Sequence, residues 1–158
     1  MIKKIGILTS GGDSPGMNAA VVAVARCAAM YDIKLMGIKR GYNGLLGLSD
    51  NPEDDIAELN LETVLDIADQ RGTFLRTARC DEFRQPEVQK KAAQTLRELG
   101  VDALVVIGGL GSGLLNPGWI PDRIPCVTIP GTIDNDLGYT ERTLGFDTAV
   151  NVCVEAVR

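Results

Sequence analysis

Short β-branched runs, glycine-rich loops and apolar helical stretches alternate along the chain. Ile5 to Thr9 is a compact apolar run that reads as a buried strand, closed by the loop Ser10-Gly11-Gly12-Asp13-Ser14-Pro15-Gly16. Met17 to Met30 is Ala-rich with little polarity, the composition of a crossover helix packed closely on a sheet. Ile33 to Ile38 alternates like a second strand and ends at Lys39-Arg40-Gly41-Tyr42-Asn43-Gly44. Leu45 to Leu59 is acidic and irregular, which predicts a surface excursion, and Leu61 to Ala68 suits a short helix. Glu87 to Leu99 carries strong helix formers, with Val88, Ala92, Leu96 and Leu99 on one face and Gly100 as a stop.

The second half repeats the rhythm with one interruption. Ala103 to Ile107 is continuously apolar, the pattern of a central parallel strand, and runs into Gly108-Gly109-Leu110-Gly111-Ser112-Gly113. From Leu114 to Pro125 the chain holds Pro117, Gly118, Pro121 and Pro125 where a βα unit wants a helix. Each interior proline costs a helix about 3 kcal/mol, so loop or a single turn is expected there. Ile124 to Ile129 reads as another buried strand, and Thr143 to Arg158 as a terminal helix entered near Gly145. This alternation predicts a Rossmann-like α/β domain of three layers, with a mostly parallel sheet of roughly four to six strands.

The length of 158 residues suits a single domain spanning residues 1–158. With 16 basic and 21 acidic residues the net charge is −5, which disfavours non-specific binding to nucleic acid or anionic membrane. The chain has no 18-residue apolar run, and Met1 to Thr9 lacks the pattern of a signal peptide, so a cytoplasmic location is expected. Cys27, Cys80, Cys126 and Cys153 are scattered and there is no histidine, which points to reduced thiols rather than a zinc site. Ser-His and Cys-His nucleophile pairs are excluded as well. Proton transfer would fall to a carboxylate, Lys, Tyr or Cys.

Candidate chemistry sits where the apolar runs end. Pro130-Gly131-Thr132-Ile133-Asp134-Asn135-Asp136 places two carboxylates, Asp134 and Asp136, at the C-terminal end of a strand, the edge where open α/β sheets bind ligands. The loop Ser10 to Gly16 precedes a helix N-terminus and suits either a phosphate or a plain tight turn. Arg71, Arg76 and Arg79 fall within ten residues, and read either as phosphate-binding forks or as a solvated cluster. Tyr42 is open to two readings, a stack on a nucleotide base or an ordinary loop tyrosine.

Taken together, five ordered stretches resemble the bacterial-type, ATP-dependent 6-phosphofructokinase family. They are Ser10 to Ala20, Thr77-Ala78-Arg79-Cys80-Asp81-Glu82-Phe83, Leu104 to Gly109, Pro130 to Asp136, and Gly145-Phe146-Asp147-Thr148-Ala149. The likeness covers nearly the whole chain, which looks like the family's N-terminal, nucleotide-binding half, with the C-terminal substrate domain absent. The resemblance implies ATP and Mg²⁺ as cofactors and transfer of the ATP γ-phosphoryl group to the 1-hydroxyl of fructose 6-phosphate. It implies that Gly12, Arg79, Cys80, Gly109, Gly111 and Ser112 contact ATP. Asp134 would be the catalytic base, and Thr132, Asp134 and Asp136 would face the sugar substrate. Family residues that grip the sugar phosphate lie in the second domain and a neighbouring subunit, so this chain alone is expected to be inactive and a homo-oligomer is compatible with the family.

Three departures accompany the likeness. Leu110 stands at a family position for a metal-binding Asp, so no metal ligand is assigned to this chain. Gly113 to Pro125 replaces a family helix, and Val22 stands where the effector site has an arginine. The alternatives to a kinase half are a non-catalytic nucleotide-binding fragment and a redesigned scaffold domain used for self-association or partner binding.

Overall fold

The computed structural model describes residues 1–109 and 124–158. Strand β1 (Lys4–Ser10) pairs in parallel with β2 (Lys34–Ile38) on one side and β4 (Ala103–Gly108) on the other. Beyond β4, β5 (Cys126–Thr132) continues in parallel, and β6 (Leu144–Gly145) pairs with Gly131 and Thr132. β3 (Ile56–Leu59) lies antiparallel on the outer side of β2, so the order is β3-β2-β1-β4-β5-β6. The sheet is thus the mostly parallel one that the alternating pattern predicts.

β3 corrects the expectation of an irregular excursion from Leu45 to Leu59. Its four residues are too short for periodicity to reveal, and the groove that receives them is remote in sequence. A Cβ at Gly37 would lie 2.6 Å from Leu59 Cδ1, so the glycine in β2 makes the space for the β3 leucine. The same stretch hides a buried acid. Asp55 is fully buried, forms an ion pair with Arg40 and accepts a hydrogen bond from the Ser49 hydroxyl.

Side-chain alternation on β1 supplies the two faces of the sheet. Ile7 faces helix α1 (Met17–Met30), joining Val21, Val22, Ala25, Leu35 and Ile107. Leu8 faces the opposite layer, joining Leu104, Val106 and Ile38 beneath α2 (Tyr42–Leu45) and α4 (Pro86–Glu98). Helix α3 (Leu61–Val64) and a following 3₁₀ turn, Leu65–Ile67, add Val64 and Ile67 to the first face. The small residues of α1 let it approach the sheet closely. α4 opens on Pro86, whose fixed φ and missing N–H cost nothing at the first helical position.

Helix α5 (Phe146–Val157) starts from Gly145, whose φ of 101° is left-handed, and none of its residues is buried. No helix among the described residues is long and apolar enough to cross a membrane. Leu114 to Arg123, most of the stretch expected to be loop, lies outside the described residues.

Candidate nucleotide-phosphate site

The parallel register brings the C-terminal ends of β1, β4 and β5 level, because Ser10 pairs with Gly108 and Gly108 with Pro130. The loop after β1 closes on this edge through Ser14. This buried hydroxyl donates to the Leu144 carbonyl at 3.1 Å, and a Cβ at Gly131 would lie 3.6 Å from its oxygen. Gly145 also requires its lack of a side chain, since a Cβ there would be 2.7 Å from the Pro15 carbonyl. On the neighbouring strand, a Cβ at Gly109 would meet Thr132 Cβ at 3.3 Å. Gly12, Gly109 and Thr132 are therefore gathered on one edge. Gly12 is exposed, and its missing Cβ would meet nothing within 4 Å, so its backbone is open to a ligand. Leu110, Gly111 and Ser112 lie outside the described residues.

The arginine-bearing stretch lies across the same loop. From Gln70 to Cys80 it forms no helix or strand, so other residues must satisfy its backbone. Buried Thr9 donates from Oγ1 to the Arg76 carbonyl at 3.0 Å and lies 3.0 Å from Thr73 Oγ1. Thr77 Oγ1 donates to the Gly11 carbonyl at 2.9 Å, and the Gly11 N–H donates to the Ala78 carbonyl at 3.4 Å. Asn43 Nδ2 donates to the Arg79 carbonyl at 3.2 Å. These bonds hold Arg79 beside the first glycine loop with its side chain exposed. The Cys80 thiol is half-buried, and that burial, aided by the Glu82 and Asp81 carboxylates, pushes its pKa up against a lowering contact from the Phe83 backbone. It stays a neutral thiol near pH 7.

Tyr42 belongs to the core. Its ring stacks on Phe83 with centroids 3.7 Å apart and planes 9° from parallel, and only 2% of the residue is exposed. Burial raises its phenol pKa, so the hydroxyl remains protonated. The structure supports neither reading left open by the sequence, because Tyr42 begins α2 and its ring is packed in the core against Phe83 instead of standing in a loop or open to a base.

The two carboxylates ride on a loop fixed by side-chain hydrogen bonds. The Asp134 N–H donates to Thr132 Oγ1 at 3.2 Å. Asn135 sits at a φ of 50°, a left-handed conformation that Asn tolerates better than most residues. Its Oδ1 accepts the Thr143 N–H at 3.0 Å, and its Nδ2 donates to the Glu141 carbonyl at 3.2 Å. Asp134 and Asp136 are left exposed on the same edge of the sheet as Gly12 and Thr132.

Among the described residues no group of three or more Asp, Glu, His or Cys side chains could hold a metal. Two carboxylates on one loop do match the chemistry of Mg²⁺, which takes one or two protein carboxylates and completes its shell with water and substrate phosphates. The sequence reading missed four residues that set this geometry: Ser14, Asn18, Asn43 and Thr143. Asn18 carried a signal, as the one polar residue from Met17 to Ala25, whereas nothing local marked Thr143.

Comparison with known proteins places these features in context. The phosphofructokinase family model matches residues 4–158. The chain is 51% identical over 160 residues to an ATP-dependent 6-phosphofructokinase of Thermoanaerobacter sp. (strain X514), covering 99% of this chain and 47% of that relative. It is 52% identical over 156 residues to the enzyme of the same name from Alkaliphilus metalliredigens (strain QYMF), again covering 99% and 47%. Among solved structures, Pichia pastoris phosphofructokinase in the T-state superposes with a TM-score of 0.86 at 33% identity, over 99% of this chain and 19% of that one. The chain thus spans about half the length of the curated relatives it matches.

Proposed function

Because the chain belongs to the phosphofructokinase family, we propose that it is the nucleotide-binding half of an ATP-dependent 6-phosphofructokinase, a single domain over residues 1–158. The observation that carries this reading is the open backbone at Gly12 sharing one sheet edge with Gly109, Thr132 and the exposed Asp134. In this reading Gly12, Gly109, Gly111 and Ser112 approach the ATP phosphates, and Arg79 and Cys80 flank the nucleotide. Backbone N–H groups at the start of α1 favour the negative charge.

Within the complete enzyme, Asp134 takes the proton from the 1-hydroxyl of fructose 6-phosphate as that oxygen attacks the γ-phosphorus. ADP leaves and fructose 1,6-bisphosphate forms. Thr132 orients Asp134 through its bond to the Asp134 N–H. Asp136 would help hold Mg²⁺, which when bound supplies charge neutralisation at the phosphates. Positioning and electrostatics account for most of the rate in such a transfer, so half of the constellation binds without turning over.

The test is a calorimetric titration of the chain with ATP, with and without Mg²⁺, beside a Leu110→Asp variant. Saturable ATP binding supports the reading, and Mg²⁺ tightening it only in the variant locates the lost metal ligand at position 110. A flat titration in both proteins overturns it and leaves a scaffold domain as the account of the chain.

A further inference from the structure

Asn18 is the second residue of the apolar helix α1 and is 3% exposed. Its carboxamide is satisfied at both ends by one distant stretch of chain. Oδ1 accepts the Phe74 N–H at 2.5 Å and Nδ2 donates to the Gln70 carbonyl at 3.2 Å. Burying an amide among apolar neighbours is unfavourable unless both polar ends are paired, so a leucine would pack here at lower cost if packing were the only need.

What the two bonds accomplish is the closure of a turn. Gln70 and Phe74 bracket Arg71, Gly72 and Thr73, and Gly72 sits at a φ of 96°. A Cβ on Gly72 would be 3.3 Å from Asp13 Oδ2, which puts the turn directly on the first glycine loop. Immediately after it, the Leu75 side chain is fully buried and Arg76 takes a left-handed φ of 55°. The stretch then runs on to Arg79 under the Thr9, Thr77 and Asn43 bonds. Thr77 and Asn43 hold the C-terminal part of the stretch and Thr9 reaches both Arg76 and Thr73, while Asn18 is the side chain whose hydrogen bonds bracket the turn at both of its ends.

We propose that Asn18 is a positioning residue of the phosphate site, stapling the Gln70 to Phe74 turn onto α1 so that Arg71 and Arg79 stand over the Gly11-Gly12-Asp13 loop. The ligand class is a nucleoside polyphosphate, and the proposal rests on the nucleotide reading above. Asn18 touches no phosphate itself. It couples the first turn of the helix to the arginine stretch, so the glycine loop and the arginines form one unit.

The coupling makes a measurable demand on the unmodified chain. If opening of the turn breaks the site, ATP at ten times its dissociation constant slows hydrogen exchange of the Phe74 amide about tenfold, because the ligand binds only the closed form. The Val154 amide in α5, whose opening leaves the site intact, keeps its rate. A turn whose opening left the site intact would show Phe74 exchange unchanged by ATP. In parallel, Asn18→Asp removes the donor to Gln70 with almost no change of shape, and is expected to weaken ATP binding at least tenfold at a temperature where circular dichroism shows it folded. A folded variant with unaltered affinity, or Phe74 exchange indifferent to ATP in a wild-type chain that binds it, overturns the positioning role alone. A wild-type chain that binds no ATP overturns this role and the nucleotide reading together. Should the variant fail to fold, the wild-type exchange result decides.

Discussion

The Thr143 N–H donates to Asn135 Oδ1 at 3.0 Å while the Thr143 hydroxyl donates to the Thr132 carbonyl at 2.7 Å. One buried threonine thus ties the residue between the two candidate carboxylates to the strand end from which their loop departs. Replacing it with valine keeps the shape and removes the hydroxyl, leaving the Thr132 carbonyl without that donor. Thr143→Val is expected to lose about 1–3 kcal/mol of stability, while Thr143→Ser loses less. Urea unfolding followed by circular dichroism checks this, through a lower midpoint at unchanged slope. Equal midpoints for the valine variant and the wild type would mean that the bond contributes nothing.

The Tyr42–Phe83 stack is the next point of leverage, because it joins the start of α2 to the turn after Cys80. Truncating Phe83 to alanine opens a cavity beneath that turn and is expected to cost about 3–5 kcal/mol. Near-ultraviolet circular dichroism should lose the signal of the buried tyrosine as well. A variant with wild-type melting and an intact tyrosine signal would contradict the packing described for the pair.

At Asp55 the charge is fully buried while Arg40 keeps part of its side chain in water. Removing only the acid strands the guanidinium, so Asp55→Ala is expected to cost about 3 kcal/mol. Pairing it with Arg40→Met should recover part of the loss, since neither charge then remains unpartnered. Chemical denaturation of the two single variants and the double variant measures the coupling. Strict additivity would show that the two residues do not interact.

Asp102 gives the chain an acid-sensitive tie. Its Oδ2 accepts the backbone N–H groups of Lys3 and Lys4, at 2.7 and 3.0 Å, and these bonds hold its pKa below the usual carboxylate range. A depressed folded-state pKa contributes stability that is present above the unfolded value, near 3.9 for aspartate, and is lost as pH falls through the folded value. The melting difference between wild type and Asp102→Asn should therefore be largest near neutral pH and shrink as the pH drops below about 4. A difference independent of pH would sink this assignment.

The fold was legible wherever a single stretch carried its own signal. α1 runs from Met17 to Met30, the span that its alanine-rich composition marks, and α4 is the Glu87 to Leu99 reading shifted by one residue, opening on Pro86 and ending at Glu98. β1 and β4 follow from apolar runs that end in glycine, because strands covered on both faces need no polar alternation. β5 falls where its apolar run lies but is not the buried strand expected, since Val127 is 62% exposed and only Gly131 along it is buried. β3 was not legible. Its four residues are defined by the hollow at Gly37, a feature of another strand. Asp55 misled for a related reason, since an acid among acids reads as solvated until Arg40 is brought beside it in space. In the candidate site, the positions bearing glycine and carboxylate could be read from their own types, whereas the supporting hydroxyls and amides could not. Ser14, Asn43 and Thr143 are ordinary in their local sequence and gain their roles from partners that are 130, 36 and 11 residues away.

Helix α5 has twelve residues and buries none of them. A helix of that length is marginal in water when its own backbone bonds are its main support, so α5 opens more readily than the strands that precede it. The Ser14 hydroxyl on the Leu144 carbonyl sits just ahead of the helix start. It acts as a firebreak: fraying that travels back along α5 reaches a residue pinned from the far side of the sheet edge before it reaches the loop of Asp134 and Asp136. The carboxylates can thus keep their places while the helix that follows them comes and goes.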